Sequence, residues 1–145
     1  MSPRVDPLGN HRFRLEIDGV TVAGFSEVAI GSTTTDLIEY REGNEPSAVR
    51  KLPGLTRYGN ITLRRGVTQS MELYQWHKAV AQGQIATSRK NVAIVIQDEA
   101  GADQARFHVS AAWPIKYDPS DLSGKGNEVF IELLELVNEG IERVQ

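Results

Sequence analysis

The sequence predicts a mainly β domain, an antiparallel barrel or sandwich of about seven strands with one flanking α-helix. Short alternating or β-branched apolar runs recur along the chain with turn residues between them. Only one stretch has helical periodicity. The length of 145 residues fits a single domain, 1–145. A chain of that size buries roughly 70% of its unfolded surface and folds without metal or disulfide.

The first element is a hairpin, "HRFRLEIDGVTVAGF". Phe13, Leu15 and Ile17 alternate with Arg12, Arg14 and Glu16, the period of a half-buried strand. Asp18-Gly19 is a two-residue type I′ turn signal. That turn sets Ile17 opposite Val20, Leu15 opposite Val22 and Gly24 opposite Phe13. A third strand is expected at 34–41, "TTDLIEYR", and a fourth in "NITLRRGV", with Ile61 and Leu63 on one face.

The helix lies in "TQSMELYQWHKAVAQGQ". Thr68 or Ser70 caps it, Glu72 suits its first turn, and Gly83 ends it. Leu73, Trp76, His77 and Val80 share one face. "KNVAIVIQDEAG" and "ARFHVSAAWPIKYD" supply two more strands, the second with Phe107, Val109, Ala111 and Trp113 on one face. Pro114 implies interrupted pairing or an edge position. "NEVFIELLELVNEG" fits either a helix or a strand. Its opening β-branched and aromatic residues favour strand.

Between the third and fourth strands runs an extended loop at 42–58, holding an apolar knot, Leu52-Pro53-Gly54-Leu55. A compact domain rarely carries so long a loop without a use for it.

Composition narrows the chemistry. Cysteine is absent, which excludes disulfides, thiolate zinc sites and cysteine nucleophiles. Net charge is −3 and the pI about 5.6, against a broad basic nucleic-acid surface. The N-terminus has no apolar h-region and no run reaches the length of a membrane span. Apolar content is 40%, lean enough to leave room for stabilisation by partner chains.

His11, His77 and His108 have no metal-ligand spacing. Asp118, Asp121, Asn127 and Glu128 do not match a calcium loop and fit turn chemistry instead. Ser123-Gly124-Lys125-Gly126 lacks the rest of a phosphate loop. Glu132, Glu135 and Glu139 are read as a solvated face. No catalytic, cofactor or metal residues are expected. The basic clusters Arg50-Lys51 and Arg64-Arg65, with Arg57 between them, are assigned to protein contact or solvation.

Taken together, "FRLEIDGVTVAGFSEV", "IEYREGNEPSAVRKLPGLTRYGNITLRRGV", "LYQWH", "VAIVIQDEAG", "AAWPIKY" and "NEVFIELLELVNEG" resemble the tail tube proteins of contractile phage tails and phage-tail-like contractile injection systems. The match covers nearly the whole chain. The resemblance implies structural work rather than catalysis: hexameric rings, each sheet extended across subunits, stacked into an inner tube for cargo or DNA.

Partners implied are further copies of the chain, sheath, baseplate or spike and cap proteins, and tape-measure or cargo in the lumen, with no membrane insertion. Assembly is expected in the producing cell's cytoplasm, into a particle that can be released. The long loop would then reach a neighbouring subunit or ring. Glu42, Glu45, Arg50, Lys51 and Arg57 would supply its polar contacts, and Leu52, Pro53 and Leu55 an apolar anchor. Leu73, Trp76 and Val80 would pack the helix on the barrel wall, away from the lumen. The competing readings are a soluble β-sandwich binding module for carbohydrate or peptide, and an adaptor paralogue of the same fold that joins tube to baseplate.

Overall fold

Ten strands and two short helices follow one another along the chain in the computed structural model, which describes residues 12–17, 20–41, 43, 49–66, 71–119 and 131–145. The strands are β1 (Arg12–Ile17), β2 (Val20–Phe25), β3 (Glu27–Ile30), β4 (Thr33–Tyr40), β5 (Arg50–Tyr58), β6 (Ile61–Gly66), β7 (Lys90–Gln97), β8 (Asp103–Asp118), β9 (Ile131–Val137) and β10 (Gly140–Arg143). The helices are α1 (Glu72–Ala81) and α2 (Ile85–Ser88). The mainly antiparallel β class expected from the sequence is observed. β3, β5, β10 and α2 are the elements it did not foresee.

The main sheet runs in the order β2-β1-β7-β8-β9-β6-β3, with β10 paired to β8. Its two edge strands, β2 and β3, are consecutive in the chain and separated only by Ser26. The sheet must therefore curl until its ends meet. Ser26 fixes that corner: its N–H donates to Arg64 O at 2.9 Å, and β2 lies against β6 while β3 lies against β1.

The second corner is in β8. Its first part pairs with β7 and β10 and its end with β9. Between them Ala111 takes φ +51°, a left-handed conformation that costs a side chain roughly 1–2 kcal/mol. The Ala111 N–H is held there by Asn91 Oδ1 at 3.0 Å. This kink changes the strand's phase. Ala105 and Val109 are buried before it, Ala112 and Pro114 after it. The expected single face of Phe107, Val109, Ala111 and Trp113 is thus corrected, because one left-handed residue moves the inward set by one position. The ladder shifts again between Pro114 and Lys116, the interruption expected of a proline that has no N–H to give.

In the first hairpin Ile17 faces Val20 as expected, but a register shift between Leu15 and Glu16 sets Leu15 against Ala23, Arg14 against Gly24 and Phe13 against Phe25. A single bulge residue displaces everything beyond it. The Asp18-Gly19 turn, the caps Thr68 and Ser70, and His11, Asp121, 123–126, Asn127 and Glu128 lie outside the described residues. The run ending the chain is strand, β9 and β10, as read from its β-branched opening.

The core gathers Leu15, Phe25, Ile61, Leu63, Ile94, Val109, Leu134 and Leu136, sealed on one side by Leu73 and Trp76 of α1. Trp76 is 7% exposed, and its indole N–H donates to Ser88 O in α2 at 2.6 Å. Val80 is half-buried on the same helix face. Gly83, with φ +86°, follows the helix end, where glycine adopts the left-handed conformation without strain. Trp76→Ala should lower stability by about 3–5 kcal/mol, the range for emptying a buried aromatic site. Chemical denaturation of the subunit checks this.

The core also holds charge. Arg65 Nε donates to Glu132 Oε1, both residues being buried. The Tyr117 hydroxyl donates to the other carboxylate oxygen at 2.6 Å, and the guanidinium lies 5.5 Å from the Phe25 ring centroid. Glu132 is therefore not part of a solvated face, and Arg65 is not surface charge. On β9 Glu132 alternates with the outward Leu133, so it falls in phase with the buried Leu134 and Leu136.

Burial first, and then the bond to Glu132, push the Tyr117 phenol from 10.0 up to about 12. The neutral phenol thus contributes stability in full below the ordinary value, and the contribution disappears as pH rises through the elevated one. Phenolate absorbance should show one of the four tyrosines ionising near pH 12. Tyr117→Phe should remove that step.

Candidate assembly surface

β4 and β5 form a two-stranded sheet of their own, apart from the main sheet. This corrects the expected loop at 42–58: from Arg50 onwards it is strand, and Leu52, Pro53, Gly54 and Leu55 lie within β5. Pro53 is tolerated because, among the described residues, the hairpin has no third strand to demand its missing N–H. The ladder matches Leu37 with Pro53, Ile38 with Leu52, Glu39 with Lys51 and Tyr40 with Arg50. Between the Thr35–Thr56 and Leu37–Pro53 pairs β5 carries an extra residue, and Leu55 falls in this bulge.

The arm buries almost nothing within the subunit. Leu55 is 72% exposed, Leu37 59% and Ile38 50%, and Tyr40, Val49 and Leu52 are also exposed. Cross-strand partners share a face. One face therefore carries Leu37 with Pro53, and the other Ile38 with Leu52. An isolated two-stranded hairpin is marginal in water. One with apolar residues on both faces and, among the described residues, no further strand on either edge calls for neighbours on more than one side.

The polar contacts inside the arm are weak. Thr35 and Thr56 hydroxyls meet at 3.0 Å, and Arg57 Nη2 lies 3.2 Å from Asp36 Oδ2, an exposed pair worth about 0–1 kcal/mol. Arg50 and Lys51 are exposed. Glu42 and Glu45, expected to act with them, lie outside the described residues.

The arm leaves the body through a narrow joint. Below it β3 pairs with β6 up to Ile30–Ile61, and above it β4 pairs with β5 from Thr33–Tyr58. Gly31 N–H donates to Asn60 O at 3.0 Å and Gly59 N–H to Ser32 O at 2.9 Å. The two glycines touch backbone to backbone. A Cβ on Gly31 would stand 2.6 Å from Asn60 O, and one on Gly59 would stand 2.8 Å from Gly31 Cα. Asn138 Nδ2 donates to Gly59 O at 3.0 Å and Asn60 Nδ2 to Glu135 Oε2 at 2.9 Å, tying the joint to the end of β9.

Of the residues expected at an interface, the structure brings Arg50, Lys51, Leu52, Pro53, Leu55 and Arg57 together on this arm. Leu37, Ile38, Tyr40 and Val49 belong to it as well and were not singled out. The signal for two of them was present: adjacent apolar residues in a strand point to opposite faces, so Leu37-Ile38 requires both faces to be covered.

A family model described as T4-like virus tail tube protein gp19 matches residues 9–142. Among curated proteins, none matches the sequence closely enough to be called a relative. A solved chain from the sheath-tube complex of an extracellular contractile injection system, PVC, in its extended state is 25% identical at TM-score 0.79, covering 96% of this chain and 92% of that one. A chain from the anti-feeding prophage cap is 25% identical at TM-score 0.78, over 99% and 94%. Hcp1 from Flavobacterium johnsoniae is 18% identical at TM-score 0.53, over 90% and 93%, a likeness of fold.

Proposed function

Since this chain belongs to the T4-like virus tail tube protein gp19 family, and is thereby a structural tube subunit, we propose that it assembles into hexameric rings that stack into the inner tube of a contractile particle. The β4–β5 arm is the element that reaches the next subunit or ring. The observation that carries this reading is the arm itself: apolar side chains on both faces of a two-stranded sheet that packs on almost nothing within its own subunit. Leu52, Pro53 and Leu55 anchor it, with Arg50, Lys51, Arg57, Glu42 and Glu45 as its charged contacts.

Around the tube, the partners are the sheath and the proteins that start and terminate the tube, in keeping with solved neighbours taken from sheath-tube, cap and baseplate assemblies. The subunit works without catalysis or cofactor and is assembled in the cytoplasm before the particle is released. No helix among the described residues is long and apolar enough to cross a membrane.

Size-exclusion chromatography followed by negative-stain microscopy tests the assembly. Six-membered rings and stacked tubes are expected. A protein that stays at 16.0 kDa at high concentration, with no rings when co-expressed with its particle, would overturn the reading.

A further inference from the structure

Part of the main sheet, β2-β1-β7 with the first part of β8 and then β10, has one face in the core and one face turned away from it. The outer face is closed over by its own charges. Arg14 Nε donates to Glu16 Oε2 at 2.8 Å, and Arg106 Nη1 to Glu16 Oε1 at 2.8 Å. Both guanidinium groups also reach Asp103 Oδ2, at 3.4 and 3.6 Å. Two cations and two anions thus alternate in a closed ring.

In the ladders Val95 stands opposite both Arg14 and Arg106, so it shares their face, yet it is 0% exposed. The arginine stems roof it over. The arginines beside Glu16 hold its carboxyl below the ordinary range, the hydrogen bond from Arg106 acting most. Within this ring every charge is matched, and among the described residues only Arg12 and Glu142, one cation and one anion, stand on the same face outside it.

The edges of this sheet behave differently. Among the described residues, β2 has a main-chain ladder only with β1, and β10 only with β8, although β2 also lies beside β6 at the corner. Lateral pairing of copies through such edges extends a sheet around a ring. The core, β6, β9 and α1 all lie on the sheet's other side. In a closed ring the bulkier side takes the larger radius, which turns the charge-matched face to the axis.

Resting on the ring assembly argued above, we propose that the face bearing Arg14, Glu16, Arg106 and His108 lines the bore, and that its mutually matched charges make it a non-adhesive wall for a chain in transit.

The absence of cysteine makes the test clean. Single variants His108→Cys, on this face, and Lys78→Cys, on the exposed side of α1, are assembled into tubes without sheath. They are then treated with a small maleimide and with a maleimide carried on a polymer too bulky for the bore. Cys at 108 should react with the small reagent only, and Cys at 78 with both. Equal reaction of both positions with the bulky reagent, or no reaction at 108 with either, would overturn the assignment. So would loss of tubes in the His108→Cys variant alone, since the face would then be an interface. Failure of the unmodified chain to form tubes counts instead against the assembly itself.

The matching is read separately, with Glu16→Gln plus Asp103→Asn tubes and a labelled single-stranded oligonucleotide as polyanion probe. The variant should bind at least about tenfold more tightly than the unmodified tube and release the probe as salt rises. Equal binding by the two would refute the non-adhesive wall.

Discussion

Subunits carrying Leu52→Asp and Leu55→Asp should fold normally and form no tubes. Both side chains lie on the arm, outside the core cluster, and are exposed in the single subunit, Leu55 at 72% and Leu52 at 45%. Charge placed there costs the isolated chain little, as is usual for surface substitutions. In the proposed assembly the same positions would be covered, and a buried carboxylate without a partner carries a desolvation penalty of several kcal/mol. With two per subunit, repeated around every ring, elongation should stop altogether. Circular dichroism and thermal melting should match the unmodified chain, while micrographs show no tubes. Normal tubes would mean that the arm makes no essential contact. A molten subunit would mean that the knot supports the fold.

Glu132→Ala should destabilise the subunit by about 3–5 kcal/mol, the usual cost of stranding one member of a buried ion pair. The loss leaves Arg65 charged and buried, with Nη2 already lacking a partner among the described residues, and removes the acceptor of the Tyr117 hydroxyl. For a domain of this size the melting midpoint should fall by roughly 10 °C. Replacing the pair together, Arg65→Met with Glu132→Leu, should recover most of that loss, because two apolar residues need neither charge nor partner. A single variant that melted with the unmodified chain would show that water reaches the site.

Glu132 also marks where the sequence could and could not be read. The strand pattern of 131–137 was legible from β-branched spacing. A glutamate in phase with Leu134 and Leu136 was assigned outside because carboxylates are so seldom buried unless paired, and its partner Arg65 is far away in sequence. β5 was missed for a local reason: proline, glycine and charge are all poor strand formers, and the pairing to β4 that overrides them is not local. β8 was found as a strand, but its phase was not, since nothing in "SAAW" announces a left-handed alanine. The helix and its buried face were legible because Leu73 and Trp76 fall at helical spacing. The exposed Leu52 and Leu55, proposed to anchor the arm, stood out because they were apolar in a polar context. Leu37 and Ile38 carried only a subtler signal, their adjacency in a strand, which puts one on each face.

The paired glycines at the base of the arm have a consequence for how such a subunit can diversify. The direction of the arm is set by two backbones in contact, with no side chain between them and none that could be added without pushing them apart. Its surface is set above that point, by residues of which the described ones hardly touch the body. Arm and body are therefore separable as parts. If the arm reaches a neighbour as proposed, the segment between Gly31 and Gly59 could be exchanged like a cassette, altering which neighbour is recognised while the angle of presentation and the interior of the domain stay as they are.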